Sequence, residues 1–419
     1  MGRKWRFDVL FRALRNRRIL SQEPNETPVR EIVTDEGYYR EISLRYGTAQ
    51  VIGIMLLAVF VAVSLVTNTE LLSANNLIYF AKDLTSSIAM RESEARNTLV
   101  YASDADNQFV LYRDGLVTLG KDKLTVFTAT GREAHSHLLS YATPRLVTSG
   151  RYLLAYNLGG TEFSLYNSFT NVKTATTSQN IRNAAICNKG YYCLVTDGEE
   201  SESRVELYND SHRMISRYSL QEYTVCATIR DDAEELAVVS VSTKDGRMVT
   251  HIALVTPGAS EWGTTWTVAD AYPVQCHYTD DGNLMLITTN ALYWFDASGQ
   301  MLNTYTFSPS DVYSFRADGE GCVLLSRANA HNNDTRVEAF DKAGNRVYNV
   351  TVTGAVLDAA RCEMGLAVLT RGELTIYPAD STLENLTVAL KESYRVLLPC
   401  ENNEFMLCGD AKAITVQPN

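Results

Sequence analysis

Basic side chains are sparse over most of this chain, histidine numbers only six and tryptophan four, and no cysteine pair stands adjacent or as C-x-x-C. Without C-x-x-C there is no basis for a zinc ribbon or a thioredoxin-like redox motif. No H-E-x-x-H, G-x-S-x-G or P-loop pattern occurs, so zinc-protease, nucleophile-elbow and phosphate-loop chemistry have no anchor in the sequence. The signature of disorder is missing too: 45% of residues are hydrophobic and 10% aromatic, with 23 tyrosines, so a packed core is expected.

The charge that is present is divided unevenly. Residues 1–46 carry ten Arg or Lys against seven acids, and the first eighteen carry seven against one. The remaining 373 residues hold 28 basic and 42 acidic groups, a net of −14. An acidic body of that size repels a phosphate backbone, which argues against nucleic acid as a partner.

One long apolar run follows the basic end. GTAQVIGIMLLAVFVAVSLVT, Gly47 to Thr67, has 21 residues without a charge, enough as a helix to cross a hydrocarbon layer of about 30 Å. Nearly fifty residues precede it, and Ser64-Leu65-Val66 matches a signal-peptidase site poorly, so an uncleaved anchor is expected. Arg and Lys flank its N-terminal side while Glu70 and Asp83 follow it. That bias predicts a cytoplasmic tail (1–46), a membrane-spanning helix (47–67), a juxtamembrane helix or linker (68–96) and an extracytoplasmic domain (97–419). Within the tail, Phe7, Leu10, Phe11 and Leu14 fall on one helical stripe with arginines opposite, the pattern of a basic amphipathic helix on an anionic leaflet.

The rest of the chain repeats. ALYWFDASGQMLNTYTF (Ala291 to Phe307) aligns without a gap to KLTVFTATGREAHSHLL (Lys123 to Leu139) and RVEAFDKAGNRVYNVTV (Arg336 to Val352), with Phe fifth and Gly ninth in all three. Weaker copies place the fifth position at Tyr166, Tyr208, Val255, Tyr377 and Gln417. The mean step is about 41 residues, each holding several short strands, which is the mark of a β-propeller blade. Eight third strands can be counted, but the last has no outer strand after it. NTLVYAS, Asn97 to Ser103, belongs to no repeat; pairing beside Ala413 to Gln417 it would complete that sheet and leave no open edge. The expected fold is an all-β, eight-bladed propeller of four-stranded antiparallel blades, with seven blades as the alternative.

Few residues invite a chemical reading. ASEWGTTW, Ala259 to Trp266, resembles the box found in sialidase-type propellers, where it is a folding element in the turn between third and fourth strands. His135 and His137 face one side of an outer strand, yet no third zinc ligand accompanies them and an exposed strand closes a metal site poorly. The acidic turns Asp197 to Ser203 and Arg230 to Glu235 lack the alternating ligands of a calcium loop and read as solvated loops. Cys187/Cys193 and Cys400/Cys408 each straddle a turn and could bridge a hairpin, but all eight cysteines suit tightly packed inner strands as free buried thiols. Quinone-dependent dehydrogenases share eight blades but carry tryptophan docking motifs and vicinal cysteines, which this chain lacks. No catalytic, cofactor-binding or metal-binding residue is assigned.

YYREISLRYG before the anchor, NLIYFAKDL after it and HLLSYATPRLVTSGRYLLAYNLGG in the first blades resemble a bacterial family of membrane-anchored propellers of unknown function, over residues 38–419. The resemblance implies a single-pass protein of the cytoplasmic membrane with its propeller outside, and carries over no site residues. The function expected is a non-enzymatic binding or scaffold module for a protein or cell-wall ligand, with no cofactor. The alternative is a hydrolase or lyase acting on cell-envelope carbohydrate at the channel mouth. A tight carboxylate or arginine cluster in a deep pocket would favour the enzyme; a broad tyrosine-rich face would favour the binder.

Overall fold

The computed structural model describes residues 46, 49–56, 59 and 98–418, apart from 104–105, 114, 129–130, 168–169, 330–332, 381 and 401–402. The chain divides into two units, Met1–Ala81 and Lys82–Asn419. In the first, residues 49–56 and 59 are helical and exposed. Among the described residues no helix is long and apolar enough to cross a membrane; the rest of the expected span, the amphipathic tail and the juxtamembrane helix lie outside them.

In the second unit the described strands form eight four-stranded antiparallel sheets. Blade 1 opens with Gln108–Tyr112, and blades 2 to 8 open with Pro144–Thr148, Ile181–Ile186, Tyr223–Ile229, Pro273–Tyr278, Val312–Asp318, Val356–Cys362 and Val396–Pro399. These first strands contact those of neighbouring blades and ring the axis. The seven-bladed alternative is excluded.

Blade 8 is completed from the other end of the domain. Its sheet runs from Val396–Pro399 through Phe405–Cys408 and Lys412–Val416 to Thr98–Val100, with Leu99 opposite Ala413. Leu99 is buried beside Phe109 and Leu116 of blade 1 and Leu398 and Met406 of blade 8. Tyr101 donates its N–H to Ala411 O at 3.0 Å and its hydroxyl to Gly409 O at 2.8 Å.

Second strands such as Leu153–Asn157 and Leu284–Thr288 are buried throughout because each blade has a neighbour on both faces, so their sequences read as continuous apolar runs. Successive side chains point to opposite faces. Leu236 and Val238 enter the cluster with blade 3, while Ala237 and Val239 enter the one with blade 5. Eight such clusters fill the eight blade interfaces.

The repeated Phe and Gly have a common cause. Where the third strand turns into the fourth, the register slips by one residue at Val126/Phe127, Trp294/Phe295 and Ala339/Phe340. This is a bulged hairpin whose turn closes on a left-handed residue, and Gly131, Gly299 and Gly344 supply it at φ of 76°, 80° and 83°. Blade 3 has the same slip, at Leu207/Tyr208, but a non-glycine, His212, at φ 61° in the ninth position. Gly344 is doubly constrained, since a Cβ there would lie 2.6 Å from the Trp294 ring.

Two stability measurements test this. Leu99→Asp places a charge in the closing interface and should cost about 3 kcal/mol or more in thermal unfolding. Gly344→Ala combines left-handed strain with a clash against Trp294 and should cost about 2–4 kcal/mol. Wild-type stability in either variant would contradict these packing roles.

Candidate functional site

The first strands of blades 2 to 5 enclose an axial cavity of about 1180 Å³. Its mouth is framed by the turns between first and second strands, where Asp231, Asp232, Asp280 and Asp281 gather. Much of this charge is tied into the frame. Arg230 donates Nε to Asp232 at 2.8 Å and Nη2 to Glu234 at 3.2 Å, and Tyr278 donates its hydroxyl to Glu235 at 2.9 Å. Asn188 donates to Asp231 at 2.8 Å and accepts from Gly150 N at 2.6 Å, joining blades 2, 3 and 4. Asp281 pairs with Lys342 at 2.9 Å. The segment Arg230 to Glu235 is solvent-exposed at Asp231 and Glu234, as expected of a solvated loop, and is also an ion-paired part of the rim.

On the far side of the axis a second polar knot joins blades 6, 7 and 8. Arg316 donates Nη2 to Asp358 Oδ2 and Nη1 to Leu397 O, both at 2.6 Å. Asp358 also accepts from Leu397 N at 2.8 Å and from Ala359 N at 2.9 Å. Burial raises the Asp358 pKa, with the Arg316 charge acting in the opposite direction. The pair spends its charge on holding three inner strands together.

His277 lines the cavity, and burial lowers its pKa while Asp318, Asp231 and Asp280 act against that shift. No described carboxylate is hydrogen-bonded to its ring, so at this cavity His277 lacks the orienting partner of an acid–base or nucleophile–base arrangement among the described residues. Nor does any group of three or more His, Cys, Asp or Glu among them have the arrangement to hold a metal ion.

The other residues singled out in the sequence disperse. His135 and His137 share a face, with ring centroids 5.2 Å apart, but are half-buried rather than exposed. His135 Nε2 meets Asn167 O at 3.1 Å, and His137 packs on Tyr166 at 5.0 Å. Ala259 to Trp266 occupies the turn between third and fourth strands of blade 4, where Ala259 O accepts from Tyr218 and Trp262 packs on the Tyr218 ring. All eight cysteines are free, six buried and two half-buried. Burial pushes the Cys193 thiol up to about 12, so it is not a nucleophile at neutral pH.

A family of unknown function (DUF5711) has a sequence model that matches residues 88–417. No curated protein matches the chain. Solved structures with similarity include hydrazine synthase of Kuenenia stuttgartiensis, at 12% identity and TM-score 0.45 over 65% of this chain and 94% of that one. BBS1N in complex with ARL6DN gives 12% identity and TM-score 0.40 over 75% and 92%. A chain of the mitotic checkpoint complex gives 11% and 0.45 over 78% and 93%.

The Arg316–Asp358 pair yields a specific expectation. Asp358→Ala removes the counter-ion of the partly buried Arg316 guanidinium and the acceptor of the Leu397 N–H, and should destabilise the domain by about 3 kcal/mol in denaturant unfolding. A change below about 0.5 kcal/mol would mean that the knot contributes nothing to ring integrity.

Proposed function

We propose, from the premise that the chain belongs to the family of unknown function DUF5711, that it is a binding and scaffold module held outside the cytoplasmic membrane by a single N-terminal span. The observation that carries the binding half is the state of the axial cavity. Its Arg230, Asp231, Asp232 and Asp281 are engaged by partners in the surrounding turns, and its histidine has no orienting carboxylate among the described residues. A rim whose charges are fixed by one another is rigid and preorganised, which favours recognition of a partner over proton transfer to a substrate. The anchoring half is supported by the charge-free run Gly47 to Thr67 with its basic N-terminal flank.

Capture of the full-length protein from its own membrane in mild detergent, through a C-terminal tag, tests the reading. One stoichiometric partner should be recovered, and the double substitution Asp280→Lys with Asp281→Lys at the cavity mouth should abolish it. Protease added outside spheroplasts should digest the propeller. Turnover of a cell-envelope glycan by the purified protein, or a propeller protected from that protease, would defeat the proposal.

A further inference from the structure

A feature of the first strands points to the opposite end of the axis from the acidic turns. In blades 3 to 7 the register between first and second strands slips near the entry of the first strand, skipping Arg182, Val225, Val274, Tyr313 and Leu357 in turn. Blades 1, 2 and 8 show no such slip. A bulge frees a residue from the ladder and re-aims its side chain, and bulges recur beside functional sites. Here they leave Val274, Tyr313 and Leu357 exposed by 43%, 47% and 37%.

Beside the first two bulges lies a separate pocket of about 380 Å³, within the range of small-ligand sites. Tyr223 and Tyr272 line it, exposed by 41% and 38%, and neither hydroxyl has a hydrogen-bond partner among the described residues. The Asn180 side-chain amide is similarly unengaged. Arg182 is fixed against one Tyr223 face at 4.0 Å, paired with Asp197, and bonded to Ser203 Oγ at 3.3 Å and Glu202 O at 3.5 Å. A guanidinium has five N–H donors, so the fork retains donors to offer a ligand.

We infer that this pocket is a saccharide-binding site, taking one or two neutral pyranose rings of a glycan. Its charges cancel, Arg182 against Asp197, so neither an anion nor a cation gains net attraction. A purely apolar ligand would cover the Asn180 amide and the remaining Arg182 donors without satisfying them, at a desolvation cost. A sugar ring presents an apolar C–H face for a tyrosine ring and hydroxyls around its edge for a fixed fork, a carboxylate and an amide. Tyrosine provides a rigid amphipathic surface at low entropic cost, and the exposed Tyr313 along the same rim gives a longer chain a second platform. The pocket lies entirely between Thr143 and Tyr272, so the inference does not depend on the membrane anchor or on the acidic mouth.

Saturation-transfer NMR and calorimetry on the full-length protein with chitotetraose, cellotetraose and maltotetraose test it. At least one should bind, and Tyr272→Ala, which removes an exposed ring with no hydrogen-bonded hydroxyl, should weaken binding by about tenfold or more without shifting the melting temperature. Asn180→Ala should weaken it as well. No binding by any of the three, binding unchanged in both variants, or a peptide that occupies the pocket while the sugars do not, would each overturn the inference.

Discussion

The domain depends on one pairing of distant segments: the three-residue strand Thr98–Val100 against Lys412–Val416. Without it, blade 8 would lack its outer strand, and the interface between the last and first blades would lose Leu99 and Tyr101. Pairing supplies that strand and ties the fate of the first blade to the last, because the closing segment contributes to the cluster that both share. The other seven interfaces are local in sequence; this one spans more than 300 residues and turns a row of hairpins into a ring.

Ring closure also decides where chemistry can reside. Each blade is held on both faces, so charges near the axis serve first to join blades. The Arg316–Asp358 knot and the Asn188–Asp231 link are joints of this kind. The Asn180, Tyr223 and Tyr272 side chains, not drawn into such joints, lie near the entry of the first strands, where bulges turn side chains out of the ladder.

Much of this was legible in the sequence because a propeller writes its period into the chain. The Phe and Gly of each strong repeat mark a bulged turn, the all-apolar second strands mark burial on both faces, and the orphan segment at 97–103 marked the closure. The weaker copies were harder to read for an identifiable reason: His212 adopts the left-handed conformation that glycine takes elsewhere, so the motif loses its letter while the backbone keeps its shape. The sites were much less legible. Arg182, Asp197, Tyr223 and Tyr272 come from three blades and have no common spacing, and the bulges at the first strands leave no residue type behind. The rim role of Arg230 to Glu235 was likewise hidden, because its partner Tyr278 lies 43 residues from Glu235.

Hydrogen–deuterium exchange resolved by peptide tests the closed ring most directly. Amides of residues 98–101 should exchange as slowly as those of 405–416 and lose protection together with them as denaturant rises, since both belong to one sheet. Fast exchange at 98–101 alongside persistent protection at 405–416 would show that the first segment is a free tail and that the ring is closed by other means.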